Sequence, residues 1–162
     1  MTTLDYATYI AGLPKILAGA AMLFRDGEGR VLILDPNYRE GLALPGGTIE
    51  SDDEETPREA ARRETLEEIG LDVAPGRLLA IDWVPGPDRP PIAAYLYDGG
   101  VLTQEQLDAI VLQEEELDSW QLVTVKELDG YGPPRTVARI RAALAALEAG
   151  TGPAELVNGE RV

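Results

Sequence analysis

The chain has 162 residues, 44% hydrophobic and 27% charged, and its 29 acidic against 14 basic side chains give a net charge of −15. Such a field repels polyanions, so nucleic acid and anionic membrane are excluded as partners, while a divalent cation is attracted. Cysteine and histidine are both absent, which removes disulfides, thiolate chemistry, sulfur-ligated metals and the usual general base.

Residues 1–15 have no clear periodicity and form a lead-in in which Tyr6, Tyr9 and Ile10 are candidates for packing. The apolar run Ile16 to Phe24 is too short to span a membrane and too far from the N-terminus for a signal peptide. It is expected as a buried strand, and the protein as cytoplasmic. Asp26-Gly27-Glu28-Gly29 then marks a hairpin into a second apolar run. "PNYREG" is a loop, "LALPGG" a short strand ending in glycines, and "SDDEE" (51–55) an acidic loop.

The next helix is clearly punctuated. Thr56 suits the N-cap, Pro57 the first helical position, and Glu59 closes a capping box. Gly70 supplies the stop. Residues 78–86 and 91–99 are expected as strands around a proline-rich loop, 103–117 as helix and 120–125 as strand. Pro134 to Ala149 is expected as a helix with Val137, Ile140, Ala143 and Leu144 on its apolar face. Residues 150–162 are expected as a loose tail. Without internal repeats or a linker, 1–162 is expected to be a single domain, an α/β or α+β sandwich.

On the helix starting at Thr56, residues 60, 64, 67, 68 and 71 share one side, with Leu66 and Ile69 facing the sheet. Glu64, Glu67 and Glu68 thus stand at the spacing where like charges repel. A solvated face is the plain explanation for most charge runs. Three features speak against it here. The helix follows Pro45-Gly46-Gly47, where bare backbone can approach a ligand. Arg63 adjoins the cluster and can hold a carboxylate in two places. The repulsion would also be relieved by Mg²⁺, a hard cation that binds carboxylate oxygens together with substrate phosphates.

The segment "GGTIESDDEETPREAARRETLEEIGL", 46–71, resembles the Nudix box in the type and spacing of Glu55, Arg63-Glu64, Glu67-Glu68 and Gly70-Leu71. It departs from the box twice. The loop from Gly47 to Glu55 is two residues longer, with the extra residues placed among Ser51 to Glu54, and Thr65 fills an aliphatic position.

The resemblance implies a Nudix-like α/β/α sandwich with a mixed sheet, extending over roughly 16–148. It implies a Mg²⁺- or Mn²⁺-dependent hydrolase that cleaves the pyrophosphate bond of a nucleoside diphosphate linked to another moiety, either a nucleoside triphosphate or a nucleotide sugar. The alternative is a non-catalytic Nudix-like domain that binds a nucleotide or partner. By the same resemblance Gly47 (through its carbonyl), Glu64, Glu67 and Glu68 are the metal ligands. Glu64 is also the candidate base, and Arg63 pairs with Glu55 to brace the site. Homodimers are common among such proteins.

Beyond the box, Glu114 to Glu116 form a second acidic cluster. The resemblance assigns a further ligand or base to this region, with Glu116 the best placed. Tyr38 and Arg39 are candidate substrate contacts. Trp83 and Tyr95 fit the core better than a base-stacking site, and Asp88-Arg89 is a candidate for the substrate entrance.

Overall fold

The structure, a computed structural model, describes residues 5–162. Its first strand, in the interior of the sheet, is the first apolar run, β1 (Leu17–Arg25). The Asp26 carboxylate accepts the amides of Glu28 and Arg30, which tightens the expected hairpin into β2 (Val31–Pro36). The two strands pair only at their base, Arg25 with Val31. Further along, β3 (Gly46–Thr48) takes the same edge of β1, antiparallel at Gly19 to Ala21.

The other strands are β4 (Leu78–Val84), β5 (Ile92–Val101), β6 (Leu117–Val123), β7 (Ala154–Val157) and β8 (Glu160–Arg161). All eight form one sheet in the order β6-β2-β1-β5-β4-β7-β8, with β3 on β1. It is mixed, because β1 runs parallel to β5, and β4 parallel to β7, among antiparallel neighbours.

The sheet is covered on both faces, as alternation along β1 requires. Met22 and Phe24 pack with Ala60, Ala61 and Ile69 of helix α2 (Pro57–Ile69). Leu23, between them, packs on the other face with Val137, Ile140 and Ala143 of helix α4 (Pro134–Ala149). The α/β/α sandwich and the bounds of both long helices are as the sequence led one to expect.

Four expectations change. The lead-in forms a short helix, α1 (Tyr6–Ala11), that buries none of its residues, so Tyr6, Tyr9 and Ile10 stay exposed. Residues 1–4 of that lead-in lie outside the described residues. Helix α3 spans only Gln104–Asp108, not 103–117. Past it, the amides of Val111 and Gln113 bond the carbonyls of Ile69 and Glu68, closing the end of α2 instead of continuing a helix. The strand expected at 120–125 begins earlier, at Leu117, where it finds β2.

The tail is not loose. Ala154 and Leu156 are buried, and β7 pairs with β4 from Ala80 to Trp83. Asn158 (φ 55°) and Gly159 (φ 87°) then turn the chain into β8. Asn-Gly is a strong hairpin signal, obscured here because only short strands flank it. Among the described residues no helix is long and apolar enough to cross a membrane.

Candidate active site

Local chemistry fixes the register of α2. The Thr56 hydroxyl accepts the Glu59 amide while the Glu59 carboxylate accepts the Thr56 amide, and Gly70 ends the helix at φ 73°. The docking stripe differs from expectation by one position. Thr65 is buried and Leu66 is 49% exposed. The Thr65 hydroxyl donates to the Ala61 carbonyl at 2.7 Å, so a polar side chain sits in an aliphatic position with its hydrogen bond made within the helix.

The two glycines make the site possible. A side chain on Gly46 would overlap the backbone of Ala20 and Ala21, so only glycine lets β3 lie flush on β1. A Cβ on Gly47 would stand 2.5 Å from a Glu64 oxygen. The carboxylates of α2 therefore press directly against bare backbone. Glu68 is 6% exposed, and one oxygen accepts the Gly46 amide at 2.8 Å. Burial pushes its pKa to about 7, with the negative charges of Glu64, Glu116 and Glu67 adding to the rise and the Gly46 bond opposing it. Glu64 is also raised, chiefly by burial and against the pull of Arg63.

Arg63 organises the rest. Its Nε and Nη2 grip Glu55 at 2.7 and 3.1 Å, and Nη2 also reaches the Thr48 carbonyl at 3.0 Å. Nη1 donates to Glu64 at 3.0 Å and to Glu67 at 3.1 Å. Glu55 in turn accepts the Glu50 amide at 2.8 Å. The Arg63 bonds hold the Glu55 carboxyl below its ordinary range, outweighing burial. Between Glu50 and Glu55 the longer loop winds into a single 3-10 turn, Ser51–Asp53, and closes through Glu54 at φ 59°. The added length is absorbed there without disturbing the Arg63–Glu55 pair.

Among the described residues no three acidic side chains are drawn together tightly enough to enclose an ion as arranged. Glu64 and Glu67 each turn an oxygen to Arg63, and Glu68 turns one to Gly46. Like charges spread and take the nearest donors. The donor set is nevertheless entirely hard oxygen, which suits Mg²⁺ or Mn²⁺.

Glu116 is exposed, on the loop whose Gln113 amide closes the end of α2, and its charge is felt at both Glu64 and Glu68. A cleft of about 340 Å³ opens beside Gly46, Gly47 and Glu68, and Tyr38, Arg39 and Tyr95 line it. The Arg39 guanidinium stands 5.9 Å from the centre of the Tyr38 ring. Trp83 is 41% exposed and outside this lining, so it is neither core nor cleft. Arg89 turns back on the Pro90 carbonyl at 2.9 Å, and the Asp88-Arg89 loop is not part of the cleft wall.

Sequence reading missed the residues that α4 brings to this cleft, Thr136, Arg139 and Ile140. The one available signal was Asp82, a charge inside the apolar strand "LLAIDWV". It is fully buried and bonds Arg139 Nε at 2.7 Å.

A sequence model of the NUDIX domain matches residues 15–147. No curated protein matches the chain. Many solved structures share its fold. The MutT protein from Methanosarcina mazei Go1 superposes with a TM-score of 0.68 at 21% identity, covering 83% of this chain and 97% of its own. An Ap4A hydrolase from C. elegans gives 0.67 at 17% identity, covering 83% and 98%. An ADP-ribose pyrophosphatase from Streptococcus suis 89-1591 gives 0.64 at 16% identity, covering 87% and 98%.

Proposed function

The chain belongs to the Nudix family as a pyrophosphohydrolase, and from that premise we propose that it hydrolyses nucleoside diphosphate derivatives with the help of Mg²⁺ or Mn²⁺. The observation that carries this reading is the position of Glu64 and Glu68. Both carboxylates are desolvated against the Gly46-Gly47 backbone, and Glu68 lines a cleft there, in a chain with neither His nor Cys. The similar folds of a MutT protein, an Ap4A hydrolase and an ADP-ribose pyrophosphatase fit a small nucleotide-like substrate.

Glu67 and Glu68, with the Gly47 carbonyl, are the ligands we assign to the ion, and Glu64 is a further ligand or the base. When bound, the ion neutralises diphosphate charge, acidifies water and steadies the leaving phosphate. The remaining work falls to the protein. Arg63 fixes Glu64 through a 3.0 Å bond, so the carboxylate cannot swing away from water approaching a phosphorus. Half-burial raises Glu64 above the ordinary carboxylate range, which makes it a better acceptor for the proton that this water loses. The Arg63–Glu55 pair ties the acidic loop to α2 and keeps the Gly46-Gly47 edge in place. Glu116, across the cluster, adds negative charge that favours cation binding, and we assign Tyr38 and Arg39, which line the cleft, to the substrate.

Nucleoside triphosphates, nucleotide sugars, ADP-ribose and dinucleoside polyphosphates, each assayed with and without excess EDTA, test the reading. Turnover should stop with chelator and return with Mg²⁺ or Mn²⁺. Full turnover in EDTA, or none on any compound with metal, overturns it.

A further inference from the structure

Asp82 lies mid-strand in β4 with its side chain wholly out of water. A buried carboxylate persists only where its oxygens are satisfied. One oxygen accepts Arg139 Nε at 2.7 Å, and the other accepts the Gly159 amide at 3.0 Å. Such pairs add little net stability, because well-packed apolar residues of equal volume often do as well or better. What the pair fixes is orientation. With Nε held, the guanidinium plane is set, and among the described residues no protein acceptor takes either terminal nitrogen. The side chain is 20% exposed and borders the cleft.

Arg139 reaches that cleft from α4, on the sheet face opposite α2 and its glutamates. The guanidinium and the carboxylate cluster therefore meet different parts of whatever fills the cleft. Arg39 lines the same space, and among the described residues its guanidinium makes only long 3.4 Å hydrogen bonds, to the Glu40 and Leu42 carbonyls, besides facing the Tyr38 ring, so a second cation can join. Leu42, Ile92 and Ile140 complete the wall, and apolar surroundings strengthen a charge pair. A rigid planar fork of this kind matches a carboxylate or a phosphate.

The geometry points to a substrate that carries a second anionic group, beyond the cleaved diphosphate, gripped by Arg139. Arg139 is then a specificity-determining residue, and Asp82 a positioning residue acting through it. This inference rests on the hydrolase reading above.

The test uses two matched pairs: UDP-glucose against UDP-glucuronate, and ADP-ribose against its terminal phosphate ester. Steady-state kinetics with Mg²⁺ is measured on the parent compounds. Calorimetric binding is measured on methylene-bridged analogues, which cannot be cleaved. The parent protein should prefer the acidic member of at least one pair, and which pair responds separates a carboxylate from a phosphate partner. Arg139→Gln should raise KM and Kd for that member about tenfold or more, as loss of a charged hydrogen-bonded pair requires. It should leave the neutral member and kcat within about twofold.

Arg139→Lys, which keeps the charge and loses the fork, should fall between. The double variant Asp82→Asn/Arg139→Gln strands no buried charge and should match Arg139→Gln, so misfolding of the single variant cannot mimic the result. Asp82→Asn alone should weaken the acidic member selectively. Equal loss on both members, or no loss, overturns the inference while metal-dependent turnover still supports the hydrolase. Charge-selective binding that depends on Arg139, without turnover of any compound, upholds the Arg139 grip on a ligand's anionic group and overturns the hydrolase on which its being a substrate rests.

Discussion

Glu68→Gln is the most informative single substitution, because its burial and the ligand role proposed for it give opposite signs to the effects on stability and activity. The carboxylate is 6% exposed and faces the charges of Glu64, Glu67 and Glu116. Its pKa rises from an ordinary 4.5 to about 7. At about 1.4 kcal/mol for each tenfold change in proton affinity, keeping Glu68 ionised costs the metal-free fold about 3 kcal/mol. A carboxyl raised in the folded state contributes stability that is complete below about pH 4.5 and is lost as pH climbs through about 7.

Glutamine has the same shape, still accepts the Gly46 amide and never ionises. In EDTA, Glu68→Gln should therefore match the parent at about pH 4 and below. At pH 8 it should exceed the parent by up to about 3 kcal/mol, or about 6–12 °C in Tm for a chain of this size. Urea unfolding followed by circular dichroism at the two pH values measures the difference, while kcat should fall by orders of magnitude. A variant less stable than its parent at pH 8, or a difference that ignores pH, refutes the argument that burial strains this carboxylate.

Glu64→Gln should lower kcat more than Glu116→Gln at saturating metal, by more than about tenfold, or about 1.4 kcal/mol of barrier. Glu64 is clamped by Arg63 on a rigid helix, whereas Glu116 is exposed on a loop, and the reverse ranking in steady-state assays would move the base to the loop. Arg63→Lys keeps the charge but loses the two-pronged grip on Glu55 and the bond to Thr48. It should cost about 1–3 kcal/mol in urea unfolding and lower activity as the loop loosens; unchanged stability would leave the clamp without structural weight. Asp26 feels burial, which raises its pKa, but the bonds from Arg30 and Glu28 outweigh that and hold it below the ordinary carboxylate range. Its contribution is therefore present above the ordinary carboxylate pKa and lost as pH falls through the lowered value, so Asp26→Asn should destabilise the protein at pH 7 and not in strong acid, as thermal melts at the two pH values would show.

Local punctuation made α2 and α4 legible in the sequence. Thr56, Pro57, Glu59 and Gly70 each act within a turn of the helix, and their effect needs no knowledge of the rest of the chain. The same holds for Asp26 and the hairpin after β1. Failures came where the deciding contact is distant. Residues 109–113 have a helix-like pattern, but Val111 and Gln113 give their amides to the carbonyls ending α2, some forty residues earlier in the chain. β7 exists because β4 offers it a parallel edge. At the site, helical spacing brings Glu64, Glu67 and Glu68 together with Arg63 beside them, while the Arg63–Glu55 pair is legible only through the resemblance. Arg139 is legible through neither, since its orientation depends on an aspartate 57 residues away. Hydrophobicity alone puts Leu66 on the sheet, but the Ala61 carbonyl satisfies the Thr65 hydroxyl, so Thr65 goes inside and Leu66 stays out.

The placement of the glutamates on α2 has a consequence for the helix itself. Aligned peptide dipoles give a helix partial negative charge at its C-terminal end, where basic side chains are favourable and acidic ones are not. α2 ends at Ile69 with no basic residue in its last turn, and Glu67 and Glu68 stand there instead. Three sources of negative potential thus coincide: two carboxylates and the helix terminus. A cation seated beside them would relieve all three together, so the last turn of α2 should be the part of the backbone whose amide exchange slows most when a divalent ion is added. Loading the site would in that sense finish the helix.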